Sequence, residues 1–195
     1  MKQDLRINVV GTSSSGKTTF SRKLSSILSI PHIEMDALFW GPNWYIPTNE
    51  EFLLKLQSAL KGSCWILDGN YTTRTLSIKL ERVTTIIWLD FSFPRTLYQA
   101  VIRAIKRIIT RKELWQNTGN RETIKSLFSK DSIVLWTIKT YRKFRPFYEP
   151  LIKSDDYSRI KFIRLKSPKE VALFLLKVKN HRDLIFDRTI SWKNL

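Results

Sequence analysis

One eight-residue stretch constrains this chain more than any other: Gly11-Thr12-Ser13-Ser14-Ser15-Gly16-Lys17-Thr18. It fits G-x-x-x-x-G-K-[ST], the P-loop pattern. An apolar run, Leu5 to Val10, precedes it; an amphipathic stretch follows, with Phe20, Leu24, Ile27 and Leu28 at helical spacing. Strand, glycine-rich turn and helix is the setting in which such a loop cradles phosphate. Gly11 and Gly16 permit a tight turn with inward-facing N–H groups. The helix N-terminus adds partial positive charge at the same point. Lys17 can reach outer phosphates, and Thr18 offers a hydroxyl to Mg²⁺. Ser13, Ser14, Ser15 and Thr19 belong to the same expected nucleotide-binding set.

Further along, Pro31 to Met35 reads as a second strand ending at Asp36. Residues 37–47 are aromatic and broken by Gly41, Pro42 and Pro47, so no regular structure is expected. Thr48 and Glu51 form a capping box for a helix to about Lys61, with Phe52, Leu53, Leu56 and Leu60 inward. Cys64 to Asp68 is a third strand and Thr84 to Asp90 a fourth; a short helix is expected from Thr75 to Arg82. A long helix from Pro94 to about Lys112 carries the apolar stripe Leu97, Val101, Ile105 and Ile108, with Arg103, Arg107 and Arg111 opposite. A loop over 113–121 and a helix from Asp131 to Phe144 follow, the latter with Val134, Ile138 and Tyr141 inward. Ile160 to Leu165 is a fifth strand, and Ser167, Pro168 and Glu170 open a last helix to about Asn180. The 181–195 tail shows only scattered apolar residues. Alternation of strand and helix predicts an α/β fold: a five-stranded parallel sheet in three α/β/α layers, one domain over residues 1–180, with an arginine-rich helical lid at about 95–145.

In such a sheet the ligand crevice lies beyond the carboxyl ends of the strands. Asp36, Asp68 and Asp90 all fall there. Asp68 is the candidate to hold Mg²⁺ through water, together with Thr18. Asp90 reads equally well as a strand-end cap. Asp36 could hydrogen-bond an acceptor hydroxyl or take its proton; a plain turn residue is the competing reading. Trp40 and Trp44, with Tyr45, could form a stacking wall for a substrate. Arg103, Arg107, Arg111, Arg121 and Arg142, with Arg145, suit a cover whose guanidinium groups close over a transferring phosphoryl group; a solvated basic face is the alternative. Neither Asp68 nor Asp90 is followed by Glu, and the chain has no Asn-Lys-x-Asp, which disfavours a motor ATPase and a GTPase switch.

The formal net charge is +17, and residues 95–145 hold 13 Lys/Arg against 3 Asp/Glu, a net of +10. Such a block suits nucleic acid, a membrane surface or anionic small substrates. Weak, sequence-independent binding to nucleic acid is expected of it in any case. No stretch approaches the ~18 apolar residues of a membrane span, no signal-peptide core opens the chain, and the single cysteine, Cys64, has no partner for an internal disulfide. The expectation is a soluble, cytoplasmic protein with no membrane partner.

The P-loop, the strand ending Asp68-Gly69-Asn70-Tyr71 and the arginine-rich segment resemble the adenylate kinase-like branch of P-loop kinases, which includes shikimate kinases. Residues 36–44, 65–71 and 87–90, and Glu113-Leu114-Trp115 with Gly119-Asn120-Arg121-Glu122, resemble the bacterial DNA topology modulation proteins over about residues 5–175. The resemblance implies an ATP- and Mg²⁺-dependent kinase acting on a small nucleoside, nucleotide or other hydroxyl-bearing acceptor. Arg74 is the nearest match to the arginine with which nucleotide kinases bind an acceptor phosphate, displaced here by Asn70 and Tyr71. The turn from Lys166 to Lys169 would line the adenine. The alternative is a nucleic-acid-binding protein that influences DNA topology and carries a regulatory nucleotide site.

Overall fold

In the computed structural model the described residues are 4–127, 129 and 132–185. The apolar runs pair as parallel strands β1 (Leu5–Gly11), β2 (His32–Glu34), β3 (Cys64–Asp68), β4 (Thr85–Leu89) and β5 (Lys161–Leu165) in the order β2-β3-β1-β4-β5. Register aligns the carboxyl ends: Glu34 opposite Asp68, Val9 opposite Asp68, Gly11 opposite Leu89. The charged strand-end residues and the P-loop therefore emerge along one edge.

Strand side chains alternate between the two faces of the sheet. Ile7, Val9, Ile66, Ile87 and Leu89 pack with Phe20 and Leu24 of α1 (Lys17–Leu28) and with Phe174 and Val178 of α9 (Pro168–Asn180). Val10, Trp65, Leu67, Ile86 and Trp88 pack on the other face with Met35, Phe39, Phe52, Leu56 and Tyr148. Those partners come from α2 (Met35–Phe39), α3 (Asn49–Ala59) and α8 (Phe144–Lys153). The remaining helices are α4 (Thr72–Arg82), α5 (Phe93–Thr110), α6 (Ile124–Leu127) and α7 (Ile133–Tyr141). Both capping sites read from the sequence are formed. Thr48 accepts from Glu51 N–H while Glu51 accepts from Thr48 N–H, and Ser167 accepts from Glu170 N–H.

Three expectations need correction. Residues 35–39 are helical and Pro42–Trp44 form a 3₁₀ turn, so the aromatic segment is more regular than its glycine and prolines suggest. Proline is tolerated at a first helical position, where its missing N–H is not needed. The helix expected from Asp131 to Phe144 ends at Tyr141 and restarts at Phe144. Ile138 is exposed, and Thr137 and Thr140 are the buried residues of α7.

α5 turns its arginine side inward. Its buried residues are Thr96, Ala100 and Ala104, while Val101 and Ile105 are 37% and 44% exposed. Arg103 and Arg107 share the inward side with the two alanines, three or four positions away. The arginines and the aliphatic stripe do lie on opposite sides, but the arginine side faces in.

A buried lysine sits in the same core. Leu76, Leu80 and Val83 give α4 its apolar phase, and Lys79 falls within it, 2% exposed, donating a hydrogen bond to the Asn70 carbonyl. Burial pushes its ammonium down from 10.5 to about 7. The unfolded chain therefore binds one more proton than the folded chain between those values, so stability rises with pH across that window and is lost on acidification. Replacing Lys79 by Met should flatten this slope. Denaturant unfolding of wild type and Lys79→Met from pH 7 to pH 10 should diverge by on the order of a few kcal/mol; parallel curves would contradict the assignment.

Candidate phosphate-binding site

The loop between β1 and α1 adopts the turn its glycines permit. Gly11 has φ +149°, and a Cβ there would lie 2.6 Å from the Leu89 carbonyl oxygen, so no other residue fits between β1 and β4. Ser15 N–H donates to Thr12 O at 3.1 Å, closing the loop. Gly16 precedes α1 with φ +90° and no side chain caps the helix, whereas α3 and α9 are both capped by hydroxyls. The α1 N-terminus thus keeps its first N–H groups for an external acceptor. The Ser14 and Ser15 hydroxyls are buried without a hydrogen-bond partner. An anion with several acceptor oxygens would satisfy these groups together. Ser13 and Thr18 are partly buried and Thr19 is exposed on the first turn of α1.

Lys17 folds back over this loop. Its ammonium donates to the carbonyls of Gly11 at 3.0 Å and Thr12 at 3.1 Å. Burial lowers its pKa from the ordinary lysine value, opposed by the charges of Asp68 and Asp36. Arg103 arrives from α5 and donates to Ser13 Oγ at 3.2 Å. Burial, then the neighbouring Arg107, lowers the Arg103 guanidinium to about 10, while Glu122, Asp36 and Asp68 oppose the shift. Its Nε has no partner. Two cations and an uncapped helix end therefore converge on one loop.

The carboxylates stand opposite. Asp68, 3% exposed at the end of β3, presents an Oδ2 with no hydrogen bond, 3.8 Å from the equally unbonded His32 Nε2. Glu34 at the end of β2 pairs with Arg22 at 3.1 Å; burial and Asp68 raise its pKa, and Arg22 opposes. Asp36 lies in the first turn of α2 and is exposed; its Oδ1 accepts from Tyr71 Oη at 2.8 Å. Asp90 is fully engaged, with Arg145 Nε at 3.0 Å and Arg164 Nη2 at 2.6 Å. It is the strand-end cap of the two readings, and Arg145 is its partner rather than part of a cover.

The turn after β3 ties these groups together. Asn70 accepts from Gly11 N–H at 3.1 Å and donates to Gly11 O at 2.7 Å. Asn8 donates to Leu67 O at 3.1 Å and Gly69 O at 3.2 Å. Gly69 has φ +144° and packs where a Cβ would sit 2.8 Å from Met35 Cβ. Neither Asn70 nor Lys79, which holds the Asn70 carbonyl, was singled out from the sequence as part of the site. The available signals were an amide directly after a strand-end glycine and a lysine in the apolar phase of a helix.

The aromatic residues meet each other. Trp40 and Trp115 stack at 6.0 Å with an interplanar angle of 16°, and Trp44 stands edge-on to both. Asn120 fixes the arrangement by donating to Gly41 O at 3.0 Å and accepting from Trp44 N–H at 2.8 Å, while Asn43 N–H donates to Thr118 O at 3.1 Å. The 113–121 loop is thereby docked on the 40–45 segment. Trp40 and Trp44 serve that junction, and no ligand face between Trp40 and Trp115 is available at this spacing. Of the other arginines, Arg107 pairs with Glu122 at 2.8 Å, and Arg111, Arg121 and Arg142 are exposed. The side chain of Arg74 lies outside the described residues.

Among solved structures, the fold matches a shikimate kinase from Acinetobacter baumannii in complex with shikimate, with a TM-score of 0.55, 13% identity, and coverage of 93% of this chain and 97% of that one. A shikimate kinase from Bacteroides thetaiotaomicron matches with a TM-score of 0.51 and 15% identity over 92% and 98%. No family model and no curated protein matches the sequence, so the resemblance to topology modulation proteins gains no support from these comparisons. The chain has the three-layer α/β/α fold of P-loop kinases.

Proposed function

We propose that the chain is a kinase that transfers the γ-phosphoryl group of ATP to a hydroxyl of a small acceptor. The observation that carries this reading is the uncapped α1 N-terminus with the unpartnered Ser14 and Ser15 hydroxyls, flanked by Lys17 and Arg103. That donor set suits a polyphosphate. The shikimate complex of the Acinetobacter neighbour supports a small-molecule acceptor.

In this reading residues 11–19 bind the phosphates through backbone N–H groups and hydroxyls. Lys17 leaves the Gly11 and Thr12 carbonyls for the outer phosphates. Arg103 already bridges α5 to Ser13 and neutralises charge on the transferring group. Arg107, Arg111, Arg121 and Arg142 would act only on closure of the segment that carries them. Thr18 and Asp68 are the residues that would hold Mg²⁺, and the unpartnered Asp68 Oδ2 fits that use. The metal, when bound, supplies charge neutralisation on the phosphates. Asp36, exposed and oriented by Tyr71, meets the acceptor hydroxyl and takes or holds its proton. Asp68 and Arg74 are the other residues proposed to face the acceptor.

Two variants test the scheme. Mg²⁺-ATP should raise the melting temperature of wild type, because a ligand bound by the native state alone stabilises it. Lys17→Ala should lose most of that shift, and equal shifts would contradict the site. In an acceptor panel with γ-labelled ATP, Asp36→Asn should keep the thermal shift yet reduce transfer by roughly 10²-fold or more, the range of a lost general base. Loss of the thermal shift in Asp36→Asn would place that carboxylate with the nucleotide instead.

A further inference from the structure

The phosphate site leaves the outer side of α5 unexplained. Tyr98, Val101, Ile102, Ile105 and Ile109, each three or four residues from another of the set, share one side of the helix and are 66%, 37%, 47%, 44% and 75% exposed. Lone exposed apolar residues need no explanation, but a continuous run along one helix does. Arg95 and Lys106 lie beside the stripe on α5, and Arg111 and Lys112 follow at and just after its C-cap, all exposed. α5 does not contain a single Asp or Glu.

Charge decides between candidate partners. Pairing with a second copy would set this flank of cations against itself, with no acid on either helix to answer it. Nucleic acid would meet the cations but has no use for a row of aliphatic side chains. A surface that presents anionic headgroups above an apolar layer answers both features. Tyr98, exposed within the stripe, is a residue type that favours such a boundary.

We propose that the outer face of α5 docks on an anionic lipid surface, with Ile102, Ile105 and Ile109 entering the headgroup boundary and Arg95 and Lys106 meeting lipid phosphates. This is contact with a surface and not a span; no helix among the described residues is long and apolar enough to cross a membrane. The proposal does not rest on the kinase reading. The inward side of α5 carries Arg103 and Arg107, so both faces of the helix have separate tasks.

Flotation of the full-length protein with vesicles tests it, using phosphatidylcholine alone and phosphatidylcholine mixed with phosphatidylglycerol. Wild type should float with the anionic vesicles only, and high salt should release it. Arg95→Gln/Lys106→Gln should weaken partitioning by roughly fivefold per lost cation. Ile102→Ser/Ile109→Ser should weaken it at unchanged charge, and both double variants should keep the wild-type melting temperature. The proposal is overturned by an absence of binding to either vesicle, or by binding that neither double variant reduces. It is equally overturned if wild type sediments as a dimer that Ile102→Ser/Ile109→Ser dissociates, since the face is then a subunit contact. Displacement from anionic vesicles by duplex DNA at physiological salt would assign the cations to nucleic acid.

Discussion

The arrangement depends on one side-chain amide. Asn70 exchanges two hydrogen bonds with the backbone of Gly11, donor to acceptor and acceptor to donor. An ionised aspartate or an alkyl chain could not satisfy both Gly11 groups at once. This clamp fixes where the P-loop leaves the sheet relative to the turn after β3. The preceding residues of that turn place Asp68, and the next residue, Tyr71, orients Asp36. Lys79 supports the same turn from inside the core. The separation of the phosphate cradle from both carboxylates is thus set over four consecutive residues, with Asn8 fastening the turn to β1.

A second constraint comes from α5. A helix can bury only one side. Here the inward side carries the small Ala100 and Ala104 together with Arg103, which reaches Ser13. Bringing a guanidinium into this partly buried place is costly, as the lowered Arg103 pKa records. The nearby charges of Asp36, Asp68 and Glu122 offset part of that cost. The aliphatic stripe is then forced outward, where its exposure has to be explained by something other than the core.

Local rules made much of this legible in the sequence. The P-loop, the Thr48 and Ser167 caps and the five strands follow from short-range patterns of glycine, hydroxyl and β-branched residues, and all of them stand in the structure. What was hidden is what depends on distant pairing. The Asn70–Gly11 contact joins residues 59 apart. Stacking of Trp40 on Trp115 depends on the 113–121 loop folding back, secured by Asn120, which no spacing rule connects to Gly41. Apolar periodicity normally marks the buried stripe of a helix, and in α5 the arginine side, with Arg103 on Ser13, faces in instead. Asp90 could be assigned only once Arg145 and Arg164 were seen to converge on it.

The most direct test of the account is a crystal structure with Mg²⁺ and a non-hydrolysable ATP analogue. The account predicts the β- and γ-phosphates against the N–H groups of residues 12–18, with Lys17 Nζ moved from the Gly11 and Thr12 carbonyls onto phosphate oxygens. It also predicts Arg103 within hydrogen-bond reach of the γ-phosphate, the metal between Thr18 and Asp68, and the Asn70–Gly11 pair unbroken. A nucleotide bound elsewhere, or a loop still closed by Lys17 with the analogue saturating, would contradict it.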